Sequence, residues 1–90
     1  MTNNPISEIR KNLGISPQQF ATLLGVSQTA VYGVEQGIPK NPRAIYQALV
    51  EKHLINNVTP IREQYTNWWE EKQERARERL IKSVSPDYRH

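Results

Sequence analysis

Three residues, Gly25, Val26 and Ser27, separate the end of one helical pattern from the start of the next, and no other feature restricts the fold as much. On the N-terminal side stands "SPQQFATLLG". Ser16 suits an N-cap, Pro17 the first helical position, and Gln19, three residues after the cap, completes a capping box. Phe20, Leu23 and Leu24 supply an apolar side, Ala21 is small enough for close helix contact, and Gly25 is a stop signal. On the C-terminal side, "QTAVYGVEQ" follows the new cap Ser27, turns Ala30, Val31 and Val34 inward, and stops at Gly37. A junction this short forces the second helix across the first and leaves one of its sides protruding.

The flanking chain is helical too. "ISEIRKNL" places Ile6, Ile9 and Leu13 at helical spacing before Gly14. After an Ile-Pro-Lys loop, Asn41 and Pro42 read as cap and first residue of a fourth helix, with Ile45, Ala48, Leu49 and the stem of Lys52 facing inward. Thr59 and Pro60 repeat that start signal, and no glycine or proline follows until Pro86, which predicts one helix over roughly 60–82. Its first half carries Ile61, Tyr65, Trp68 and Trp69. Its second half is mostly charged, with Glu71–Arg75 and Glu78–Lys82 at the favourable i,i+4 order. The expected organisation is a domain over 1–58, a long C-terminal helix over 59–83 and a frayed tail over 84–90. Every element signal is helical, and the short linked pair at its centre has helix-turn-helix spacing.

Composition excludes several classes. With 90 residues and 37% hydrophobic content the chain supports one modest core, and its mean hydropathy of −0.73 leaves a wet surface. It has no cysteine, so disulfides and cysteine zinc sites are ruled out. His53 and His90 are the only histidines, and neither a glycine-rich phosphate loop nor a catalytic constellation is present, so no enzyme, metal or cofactor is expected. The N-terminus has no signal-like apolar run and nothing reaches membrane-spanning length, so a cytoplasmic protein is expected. The net charge of +3 favours polyanion partners only mildly, divided as +2 over residues 1–55 and +1 over 56–90.

The stretch "LGISPQQFATLLGVSQTAVYGVEQG" resembles the helix-turn-helix of the phage-repressor and Cro family, also called the XRE family. The matching residues are Ala21, Gly25, Val26, Ser27, Val31, Val34, Glu35 and Gly37, and the resemblance covers about residues 6–55. It implies an all-α, five-helix lambda-repressor-like domain, here with an extended C-terminal helix. It also implies a sequence-specific regulator of transcription, of repressor type and prokaryotic or phage origin, bound to double-stranded DNA. The third helix would enter the major groove, where base edges offer donors, acceptors and thymine methyls; uncharged readers suit these, whereas lysines would read only phosphate. Gln28, Thr29, Tyr32 and Gly33 are the expected base-reading positions.

The resemblance places phosphate contacts at the start of the second helix and in the loop before the fourth. Pro17 stands where the family usually has Gln, so the first contact shifts to Gln18 and the remaining amides, with Ser27 beside them. Lys40, Arg43 and Asn41 serve the second, Asn41 being read first as a cap. By the same resemblance Arg10 and Glu35 form a structural salt bridge. Ile61, Tyr65 and Trp68 lie at spacings of 4 and 3, with Trp69 one position off that stripe, and two tryptophans exceed what one small core needs. They are expected to dock on the domain or on a second subunit, giving a homodimer on a palindromic operator. The alternatives are an antitoxin whose C-terminal helix grips a protein partner, and a helix-turn-helix scaffold that binds protein without DNA.

Overall fold

The computed structural model describes residues 3–88, with side chains over 3–82. Five helices follow one another: α1 Pro5–Asn12, α2 Pro17–Leu24, α3 Gln28–Gln36, α4 Arg43–Glu51 and α5 Val58–Tyr88, with no strand among the described residues. No helix there is long and apolar enough to cross a membrane.

Start signals explain most of the boundaries. Ser16 Oγ accepts from Gln19 N at 3.1 Å and Gln19 Oε1 accepts from Ser16 N at 2.9 Å, a reciprocal capping box. Ser27 Oγ accepts from Ala30 N at 3.0 Å. α1 starts one residue earlier than its apolar spacing suggested, because buried Asn4 caps it and Pro5 takes the first position.

Two expected caps are not used. At α4 the capping position falls to Pro42, with no side-chain cap, so Asn41 does not cap. At α5 Asn57 Oδ1, not Thr59, accepts a first-turn amide, from Thr59 N at 3.0 Å, and the helix begins at Val58. α5 then continues past the tail boundary expected at residue 84 as far as Tyr88; the end of that tail lies outside the described residues.

α1 to α4 all end in one kind of closure. A residue in the left-handed region, Gly14 (φ 69°), Gly25 (72°), Gly37 (77°) or His53 (59°), ends the helix, and the next amide turns back to a carbonyl five residues earlier. Those bonds are Ile15 N to Arg10 O (3.5 Å), Val26 N to Ala21 O (3.1 Å), Ile38 N to Gly33 O (2.9 Å) and Leu54 N to Leu49 O (2.9 Å).

The core gathers residues from all five helices: Ile6, Phe20, Ala21, Leu24, Val31, Val34, Ile45, Tyr46, Ala48, Leu49 and Tyr65. Leu13 and Leu23 differ from expectation, at 43% and 40% exposed, and Lys52 is exposed rather than stem-buried. Leu13 falls beyond the last turn of α1 and Leu23 lies on the flank of α2's buried stripe, so neither reaches the interior. Tyr46 takes a core place that the apolar pattern of α4 did not assign.

Candidate nucleic-acid interface

Beyond the turn at Gly25–Ser27, α3 buries Val31 and Val34 and presents the opposite side. Gln28 and Thr29 are exposed, Tyr32 is 47% exposed and Gly33 is partly buried, so the four expected readers share one outward arc. Gln36 is exposed on that arc as well, two turns after Gln28. The sequence reading ended the ridge at Gly33, and the i,i+4,i+8 spacing of Gln28, Tyr32 and Gln36 is the signal that extends it.

Helix starts supply backbone donors around this ridge. In α2, Pro17 has no N–H, Gln19 N is taken by Ser16 Oγ and Phe20 N by Ser16 O, which leaves the Gln18 amide of the first turn. In α3 the Ser27 hydroxyl accepts from Ala30 N, and Val31 N bonds Ser27 O, leaving the amides of Gln28 and Thr29. In α4, Arg43 N bonds Asn41 O and Tyr46 N bonds Pro42 O, leaving the Ala44 and Ile45 amides beside exposed Asn41 and Arg43. Free amides at helix starts, with the helix dipole behind them, suit phosphate oxygens.

Lys40 is exposed, and its ammonium stands 5.4 Å from the Trp69 ring centroid, a cation–π contact that steadies it on the α3–α4 loop. Arg43 also flanks a cleft of about 700 Å³ between α4 and α5, whose other wall carries Arg62, a basic residue the sequence reading left unassigned. Tyr46 lines this cleft, and its hydroxyl is the one buried side-chain polar atom without a partner among the described residues. Burial raises the Tyr46 pKa, and the positive charge of Arg62 partly offsets the rise.

The far end of α3 is held from two directions. Asn4 Nδ2 donates to Val34 O at 3.0 Å and Glu35 O at 3.2 Å. Arg10 Nε meets Glu35 Oε2 at 2.9 Å and Oε1 at 3.0 Å, Ser7 Oγ donates to Oε1 at 3.0 Å, and Arg10 Nη1 donates to Ile15 O at 2.8 Å. The pair is partly buried, 16% and 13% exposed, so its hydrogen-bonded geometry fixes α1 against α3 more than it adds net stability.

From α5, Lys72 Nζ donates to Gln36 O, and Trp69 Nε1 donates to Gly37 O at 2.8 Å. Tyr65 is fully buried, and its hydroxyl donates to Pro39 O at 2.6 Å with a longer contact to Val34 O at 3.4 Å. Burial, then the neighbouring Tyr46, raises the Tyr65 pKa. Trp68 packs on Tyr65 with ring centroids 5.5 Å apart, and a Cβ at Gly37 would meet its ring at 2.8 Å. Ile61 packs partly buried on the core. The docking residues thus meet their own domain, and the surplus of aromatic surface that suggested a second subunit is taken up within the chain.

The family model for the helix-turn-helix matches residues 6–46, from the first core residue of α1 to Tyr46 in α4. That family is one of DNA-binding regulators and is not typically enzymatic. Neither the curated proteins nor the solved structures give a match.

Proposed function

We propose, on the footing of the helix-turn-helix match over residues 6–46, that the chain is a DNA-binding regulator of the phage-repressor and Cro kind that represses transcription by reading an operator through α3. The observation that carries this reading is the outward arc of α3. Gln28, Thr29, Tyr32 and Gln36 on it are uncharged and exposed, while the finish of the helix is clamped. Gln28 pairs with adenine through its amide, Thr29 and Tyr32 meet polar edges or thymine methyls, and Gln18, Ser27, Lys40, Asn41 and Arg43 hold phosphates. With no cap to make, Asn41 has its side chain free for that contact.

Two copies would set their third helices in successive major grooves, with half-sites about 10 bp apart. With both tryptophans packed on their own domain, the distal half of α5 is a surface that a second copy could use. There Leu80 is 65% and Ile81 66% exposed. The same projecting half supports the second reading, an antitoxin that grips a protein partner. Light scattering of the chain without DNA distinguishes a standing dimer from one formed only on the operator.

Selection of bound sequences from a random duplex pool at physiological salt tests the main reading. The expected result is a palindromic consensus, and no enrichment over the starting pool would refute it. Lys40→Ala is expected to weaken all sequences alike and lower the salt slope by about 1 unit, read from binding titrations across salt concentrations.

A further inference from the structure

The cleft between α4 and α5 gathers three polar groups that the fold itself does not use. Tyr46 is 3% exposed, and its hydroxyl has no hydrogen-bond partner among the described residues. A buried hydroxyl left unpaired costs folding free energy, and native structures keep few of them. Arg43 on one wall and Arg62 on the other are exposed, and neither guanidinium has an ion pair or hydrogen bond among the described residues. The Arg62 charge is felt at the Tyr46 hydroxyl, where it opposes the rise in pKa that burial causes.

Helical spacing accounts for this convergence. Arg43 and Tyr46 stand three apart on one side of α4, and Val58 and Arg62 four apart on the side of α5 that faces it. Val50 and Val58 add apolar lining. Glu51 lies eight residues after Arg43, about 12 Å along the axis of α4, and accepts from Gln47 Nε2 at 3.4 Å. The cleft therefore has a basic end, set over a buried hydroxyl, and an acidic end.

We propose that the basic end of this cleft binds an oxyanion of phosphate size, with Arg43 and Arg62 donating from the two walls and the Tyr46 hydroxyl from the floor. Guanidinium forks match the oxygens of such a group, and the phenol supplies the hydrogen bond it otherwise lacks. Two sources carry the group: a phosphorylated small molecule and the backbone of a duplex. The structure favours the small molecule. A volume of about 700 Å³ is that of a small-ligand site, and Glu51 at the far end repels a run of backbone phosphates. The site is separate from α3 and does not rest on its reading as the groove helix.

The test titrates inorganic phosphate into the full chain without DNA, against chloride at equal ionic strength. Backbone amide signals of α4 and of α5 around Arg62 are followed by NMR, and a saturable shift confined to them is expected. Arg62→Gln should weaken the phosphate affinity about tenfold, the scale of a charge-assisted hydrogen bond. Tyr46→Phe, which keeps the ring in the core, should weaken it about fivefold. Its thermal midpoint should hold or rise, because the unpaired hydroxyl is gone.

A duplex carrying the selected site then identifies the source. Unchanged duplex affinity in Arg62→Gln assigns the cleft to a small molecule. A loss of affinity, with the salt slope lowered by about 1, assigns it to the DNA backbone. The site is overturned if phosphate shifts fail to saturate, or are the same in both variants, while duplex binding in Arg62→Gln is unchanged. Because the phosphate titration needs no DNA, its failure leaves the reading of α3 standing.

Discussion

The two ends of α3 are built in opposite ways. At its start, closure is local: Ser27 Oγ takes the Ala30 amide, and no side chain from elsewhere in the fold is needed. At its finish, the carbonyls of Val34, Glu35, Gln36 and Gly37 accept from Asn4, Tyr65, Lys72 and Trp69, each about 30 residues away in sequence. A helix of nine residues with a glycine inside is a weak autonomous helix. It holds its shape because α1 and α5 secure one end, and the other end is left clear for its side chains to point outward. Anchorage and readout are thus separated along one short element.

The largest blow to that arrangement should be Tyr65→Ala. It empties a fully buried aromatic site and removes the hydroxyl on Pro39, for a loss of about 3–5 kcal/mol in urea unfolding. Asn4→Ala should follow, at about 2–3 kcal/mol by the same measurement, since it deletes the cap of α1 and the side-chain bonds to the Val34 and Glu35 carbonyls of α3.

Alkali should act on the same end. Tyr46 and Tyr65 both have pKa values raised above the ordinary 10.0 by burial, so the folded state holds their protons more tightly than the unfolded chain does. Their contribution is complete below pH 10 and is lost as pH rises through the folded values. The slope is up to about 1.4 kcal/mol per pH unit for each tyrosine. Urea midpoints at mildly and strongly alkaline pH check this, and Tyr65→Phe should flatten the decline. At the outward end the effect on folding should be smallest: Gln28→Ala is expected to shift stability by under about 0.5 kcal/mol. It should relax base preference at one position per half-site, and an unchanged selected motif would remove Gln28 from the readers.

What could be read in advance follows the same division. Ser16, Ser27, Gly25 and Gly37 announce helix ends through chemistry confined to four or five neighbouring residues, and the pattern of Val31 and Val34 shows which side of α3 turns in. The outward positions follow from that, Gln36 being overlooked only because the arc was drawn short. The clamp was not legible. Nothing in the order "YTNWWEEK" states that an indole will donate to Gly37 or an ammonium to Gln36, because those partners meet only once α5 lies across the end of α3. The order therefore leaves docking on the domain or on a second subunit open, and the structure shows the Trp69 indole meeting a carbonyl at the finish of α3. Asn41 misled for a related reason: it has the right side chain for a cap, but the backbone turns at Pro42, and proline takes the place without offering a cap bond.

One further consequence follows from where the indoles lie. Trp68 leans on Gly37 and Trp69 bonds its carbonyl, and the chain has no other tryptophan. Intrinsic fluorescence therefore comes from the hinge side of the recognition element, and the protein carries its own optical gauge there. Emission that holds steady while a duplex is added would report a rigid body settling into place. A shift in colour would mean that the anchor itself gives when the ridge is loaded.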